Sequence, residues 1–94
     1  MQLSVWCSMA RPWADILRTV EYAESTGWPA AYVYDHFMPN TADGAPADGP
    51  VLEGWTVLSA LAARTSRIRL GAMVLSATYR HPAVLANKIG RAHV

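Results

Sequence analysis

The chain has 94 residues, 52% of them hydrophobic and 16% charged, with a formal net charge of +1. That length allows one small domain or part of a larger one, and the apolar content favours a packed core over disorder. Its basic residues are scattered rather than striped, which argues against a nucleic-acid surface, and its one cysteine, Cys7, rules out an internal disulfide framework and suits a reducing cytoplasm.

The N-terminal run MQLSVWCSMARPW has no basic leader and no long apolar stretch, so it reads as neither signal peptide nor membrane span. Within it, Leu3 to Ser8 is short, β-branched and aromatic, which predicts a strand. Trp13, Ile16, Leu17, Val20 and Ala23 then recur at helical spacing. Pro12 suits a first helical position, Asp15 suits the positive end of the dipole, and Gly27 suits a left-handed cap. Ala30 to Asp35 is almost wholly apolar, as expected of a parallel strand buried on both faces.

From Met38 to Pro50, prolines, glycines and aspartates without a period predict a loop. It exceeds the usual connection of about 2–6 residues in an α/β unit, and long loops in compact domains tend to carry function. Residues 51 to 66 resume helical spacing through Trp55, Leu58, Leu61 and Ala62. Residues 67 to 79 return to strand character, with Gly71 as a bulge or a point of close approach. HPAVLA opens a third helix with Pro82 near its first position.

The order β-α-β-α-β-(α) implies right-handed parallel units with helices covering the sheet. No G-x-G-x-x-G and no Walker lysine follows a strand, so the dinucleotide and P-loop versions lack their fingerprints. In parallel α/β folds reactive groups gather at the carboxyl ends of strands. Asp35 and His36 occupy such an end, with the long loop directly after them. An imidazole there suits proton exchange near neutrality.

YVYDHFMP, LAARTSRIRLG and TYRHP, in that order and spacing, resemble the N-terminal region of luciferase-like oxidoreductases. The likeness runs from about Leu3 to Asn87 and is greatest to the branch that uses the deazaflavin coenzyme F420. It implies a (β/α)8 TIM barrel of about 250 residues, of which this chain supplies the N-terminal β-α-β-α-β portion. Residues 1–87 then form the barrel portion. Residues 88–94, KIGRAHV, look like a translated sequencing adapter and read as a non-native tail; a genuine basic helix end is the alternative.

The resemblance implies hydride transfer between F420 and a small organic substrate. The isolated chain is expected to be inactive, and the intact parent is a candidate homo-oligomer. An FMN-dependent luciferase-like monooxygenase is the rival cofactor reading, and a small non-enzymatic α/β binding domain with a Trp-rich surface is a rival of another class. No metal is expected, since His36 and His81 lack ligand spacing. By the resemblance, His36 is the catalytic candidate, and Asp35, His36, Met73 and Val74 hold the coenzyme. Met73–Val74 is the bond at which the family often carries a non-proline cis peptide. Asp35 would orient the imidazole or bond the coenzyme, although neighbouring strand side chains diverge. Arg80 reads as a solvated arginine, with contact to a coenzyme phosphate as the alternative. Cys7 reads as buried and inert, and Trp13 with Trp55 as core between helix and sheet.

Overall fold

The computed structural model describes residues 1–39, 41–43 and 48–91. Strand β1 is Val5–Trp6, helix α1 is Trp13–Ser25 and strand β2 is Ala30–Val33. Helix α2 is Gly54–Arg64, strand β3 is Arg69–Ala72, and helix α3 is Pro82–Arg91 after a short 3-10 turn at Ala77–Tyr79. The strands form one parallel sheet in the order β1-β2-β3, with Val5 beside Ala31 and Val33 beside Ala72. Because β2 is central, residues at its carboxyl end have neighbours on both sides.

Period-2 alternation splits β2 and its extension into two sets. Ala31 and Val33 point to the layer filled by Ile16, Val20 and Ala23 of α1 and Val57 and Leu61 of α2. Met9, Val20 and Leu61 are wholly buried there, and each such side chain contributes about 1.5–3 kcal/mol by leaving water. Tyr32 and Tyr34 belong to the other face, and Gly71 lets β3 pass there. A Cβ at Gly71 would stand 2.9 Å from the Tyr32 ring, so the close approach expected at this glycine is present.

Helix α1 matches its periodicity closely, with Ile16, Val20 and Ala23 inward and Trp13 and Leu17 packed beside them. It ends where Gly27 turns at φ +84°, a left-handed conformation that costs glycine little. Pro12 sits one place earlier than expected, as the N-cap residue. Helix α2 is rotated from its predicted face: Val57 and Leu61 carry the core, while Ala62 is exposed. Trp55 is not a core residue; its half-buried ring lies 5.2 Å from the Lys88 ammonium. The third strand is also shorter than its apolar run suggested, because the chain leaves the ladder after Ala72.

The expected loop from Met38 to Pro50 falls partly outside the described residues, at Asn40 and Gly44 to Ala47. The same holds for Ala92 to Val94 of the expected tail. Helix α3 itself continues past Asn87 to Arg91 without a break. No helix among the described residues is long and apolar enough to cross a membrane.

Candidate functional site

At the carboxyl edge of the sheet, β2 continues as Tyr34, Asp35 and His36, and the two side chains singled out there diverge. His36 is exposed, and its ring lies 4.5 Å from that of Tyr34, which in turn lies 4.7 Å from Trp6. The phenol of Tyr34 is fixed by the Met9 N–H, which donates to it at 3.1 Å, and by a 3.3 Å contact with the Ser8 hydroxyl. Thus β1 and β2 build a ladder of rings, Trp6, Tyr34 and His36, on the face opposite the helices.

The segment after β3 completes this face. Its Met73–Val74 peptide bond is cis, at the position implied by the resemblance. The Met73 N–H donates to Val33 O at 2.7 Å, and Val74 O accepts from the Asp35 N–H at 3.3 Å. The Trp6 indole donates to Met73 O at 3.2 Å. Backbone bonds therefore hold the segment against the end of β2 while its side chains stay open: Met73 is 54% exposed and Val74 73%. Phe37 stacks on Tyr79 with centroids 3.9 Å apart, linking the exits from β2 and β3.

Asp35 turns the other way. Its side chain, 2% exposed, takes both arms of the Arg80 guanidinium, Nη1 to Oδ2 at 2.6 Å and Nη2 to Oδ1 at 3.0 Å. Oδ2 also accepts from the Ser76 N–H at 2.8 Å. Burial opposes ionisation, but the Arg80 fork and the Ser76 and Gly54 backbone donors outweigh it and hold the carboxyl below its ordinary range. Asp35 therefore does not orient the His36 imidazole.

Arg80 is neither a solvated arginine nor free to reach a coenzyme phosphate. Its side chain is 9% exposed and is shared between Asp35 and Glu53. Glu53 also caps α2, accepting from Trp55 N–H at 3.2 Å and Thr56 N–H at 2.7 Å. One guanidinium thus joins the end of β2, the start of α2 and the turn after β3. Gly54 fits tightly into this junction, since a Cβ there would stand 2.5 Å from Asp35 Oδ1 and 2.7 Å from Tyr34 O. Cys7 is buried at 5% exposure, and burial pushes its thiol pKa up, which disfavours the reactive thiolate.

Sequence reasoning missed Glu53 and the pairing of Arg80. An acid just ahead of a helix is a legible cap signal. The partner of Asp35 is not legible, because Arg80 lies beyond the end of β3, after the 3-10 turn, and only the folded chain brings it back to the end of β2. Among the described residues no group of three or more His, Cys, Asp or Glu is placed to hold a metal. A hollow of about 400 Å³ lined by Leu3, Trp28 and Pro29 lies at the opposite, amino edge of the sheet, away from His36.

A parallel sheet with a ring-lined, partly apolar carboxyl edge is the portion of an α/β fold that binds ligands. The chain matches the luciferase-like monooxygenase family over residues 1–93 and belongs to that family. It is 37% identical over 73 residues to an F420-dependent glucose-6-phosphate dehydrogenase of Amycolatopsis mediterranei, covering 77% of this chain and 21% of that protein. The counterpart in Nocardia farcinica is 45% identical over 65 residues, covering 68% and 18%. That of Rhodococcus jostii is 42% identical over 65 residues, with the same coverage. The chain spans about a fifth of the length of the curated relatives it matches. No solved structure matches it significantly.

Proposed function

We propose that the intact protein is an F420-dependent oxidoreductase in which this chain forms the first β-α-β-α-β portion of a (β/α)8 barrel. The observation that carries the reading is the meeting of the open Met73–Val74 segment with the Trp6–Tyr34–His36 ladder, in a chain whose relatives are F420-dependent dehydrogenases. A planar heteroaromatic ring needs an apolar wall and a proton-exchanging group at its edge. Met73, Val74 and His36 are exposed on that side, so the residues present fit such a ring.

When bound, the deazaflavin supplies the hydride acceptor or donor. The residues of this chain do the rest. Met73 and Val74 form a wall that excludes water from one ring face. His36, at an imidazole nitrogen, takes the hydroxyl proton of an alcohol substrate as its carbon gives up the hydride, and returns it in the reverse direction. The substrate is a small organic molecule. The relatives' names make a sugar phosphate the first to try, and Arg80, committed to Asp35 and Glu53, is not its phosphate ligand. The activity belongs to the intact protein, and the 94-residue chain alone is expected to show no turnover. Residues 88–94 carry no part of the proposal.

The test is anaerobic turnover of the intact protein with F420 and glucose 6-phosphate or simple alcohols, followed by F420 absorbance. Coenzyme-dependent bleaching without oxygen is the expected result, and His36→Asn is expected to lower kcat by about 10²–10⁴-fold. Oxygen consumption with reduced FMN, and no reaction with F420, would replace this reading with a flavin monooxygenase.

A further inference from the structure

We propose that Arg80 is a positioning residue for the hydride transfer, holding His36 and the Met73–Val74 segment in one rigid unit; this rests on the function proposed above. The guanidinium is far more committed than an incidental surface base. Its Nη1 donates to Asp35 Oδ2 at 2.6 Å and to Ser76 O at 3.0 Å, while Nη2 serves Asp35 Oδ1 at 3.0 Å and Glu53. Asp35 is chain neighbour to His36, and Ser76 lies two residues after Val74.

The carboxylate between them also accepts the Ser76 N–H at 2.8 Å. One buried ion pair therefore closes a ring: β2 end, Asp35, Arg80, Ser76, Val74 and back through Val74 O to the Asp35 N–H. That ring ties Asp35 to Arg80 and Ser76 by charge-assisted bonds and to Val74 by a backbone bond, so a shift of Asp35, which His36 directly follows, or of Val74 disturbs it. A lysine at the same place would keep the charge and lose the planar fork, so it could not serve both Asp35 oxygens, Ser76 O and Glu53 together. Arg80 acts through geometry, because its guanidinium lies with Asp35 and Glu53, turned away from the face that carries His36.

The structure also supplies a reporter. The Trp6 indole N–H donates to Met73 O, so its NMR signal reads the position of the Met73–Val74 segment without any coenzyme. Trp13 and Trp28 serve as internal references, whereas Trp55 donates its backbone N–H to the Glu53 carboxylate that Arg80 holds. In the intact protein we compare Arg80→Lys and Asp35→Asn with Arg64→Lys, whose exposed arginine pairs with Glu21 at 3.3 Å far from the rim.

Arg80→Lys is expected to move the Trp6 indole signal and to lower kcat with F420 by about 10–100-fold. KM should change by less than about 3-fold, and Arg64→Lys should change none of these. Should Arg80→Lys not fold, Asp35→Asn is read by the same measures, with the same direction expected. An unmoved Trp6 signal, or a moved signal with kcat unchanged, overturns the proposal. Should the unmutated protein fail to react with F420, the proposed function fails, while the Trp6 signal still decides whether Arg80 holds the segment.

Discussion

The two ends of β3 are each tied down by a carboxylate, and the two ties differ in a way that burial explains. At the amino end, Glu24 in the last turn of α1 accepts the N–H groups of Ser66, Arg67 and Ile68 through one oxygen, at 2.9, 2.7 and 2.9 Å. The bonds from Ile68, Arg67 and Ser66, in that order, hold its pKa below the ordinary range. The nearby Arg67 charge adds a smaller push in the same direction, and no buried counter-ion is needed, because water remains in contact with the group. At the carboxyl end, Asp35 is removed from water and takes a bidentate guanidinium as well as backbone donors. A charge in contact with solvent is satisfied by dipoles, whereas a buried one needs a counter-charge. The pair at the carboxyl end therefore makes that edge stiff, and this is the edge where the chemistry is proposed.

The most severe way to break this contrast is Arg80→Ala. It strands Asp35 as a buried, uncompensated anion, and loss of one partner from such a pair costs about 3–5 kcal/mol. A denaturant melt of the intact protein should show that loss. A change under about 1 kcal/mol would mean that the pair behaves like a surface ion pair. Next in size is Gly54→Ala, which forces a methyl to within 2.5 Å of Asp35 Oδ1 and 2.7 Å of a backbone oxygen. Backbone cannot swing aside as a flexible side-chain tip can, so a loss of about 1–3 kcal/mol is expected, and an unchanged melting temperature would refute the close packing.

Glu24→Gln tests the exposed tie. The amide still accepts hydrogen bonds but has lost its charge, so its effect on Tm should be smaller than that of either rim variant. An effect as large as that of Arg80→Ala would erase the distinction drawn above. The mildest probe is pH. Asp35 and Glu24 have folded pKa values below their unfolded values of about 3.9 and 4.3. Their contributions are complete above those values and are lost as pH falls through the folded ones. Stability should thus be flat near neutrality and decline below about pH 4. In Arg80→Ala the largest cause that lowers the Asp35 pKa is gone, the Ser76 and Gly54 donors remain, and burial still raises it. The gap between variant and parent should then narrow as the solution is acidified; a gap that stays constant would count against Asp35 as the linked group.

Much of this was readable along the chain because it depends on neighbours in sequence. The stripe of Ile16, Val20 and Ala23, the turn at Gly27 and the apolar run into Asp35 are local patterns, and local dihedrals and periodicity express them directly. The rotation of α2 is not legible from spacing, because Trp55, the largest apolar side chain there, biases the predicted stripe toward itself. Its size drew it into the stripe, yet the sheet is met by Val57 and Leu61. The strand after Ile68 ends at Ala72, sooner than its apolar run, because such a run does not reveal where the ladder ends. At the site, His36 at a strand end and the cis bond at Met73–Val74 are legible, the first from the apolar run that ends at Asp35 and the second from family resemblance.

By itself, then, the sequence determined a parallel βαβ arrangement, the edge at which Asp35 and His36 stand, and the family to which the chain belongs. Only the tertiary structure decided that these two neighbours face opposite ways, and that the partner of Asp35 is Arg80, 45 residues on. The reason is that alternation along a strand fixes which side a residue takes, while the identity of what waits on that side depends on which strands the sheet brings together.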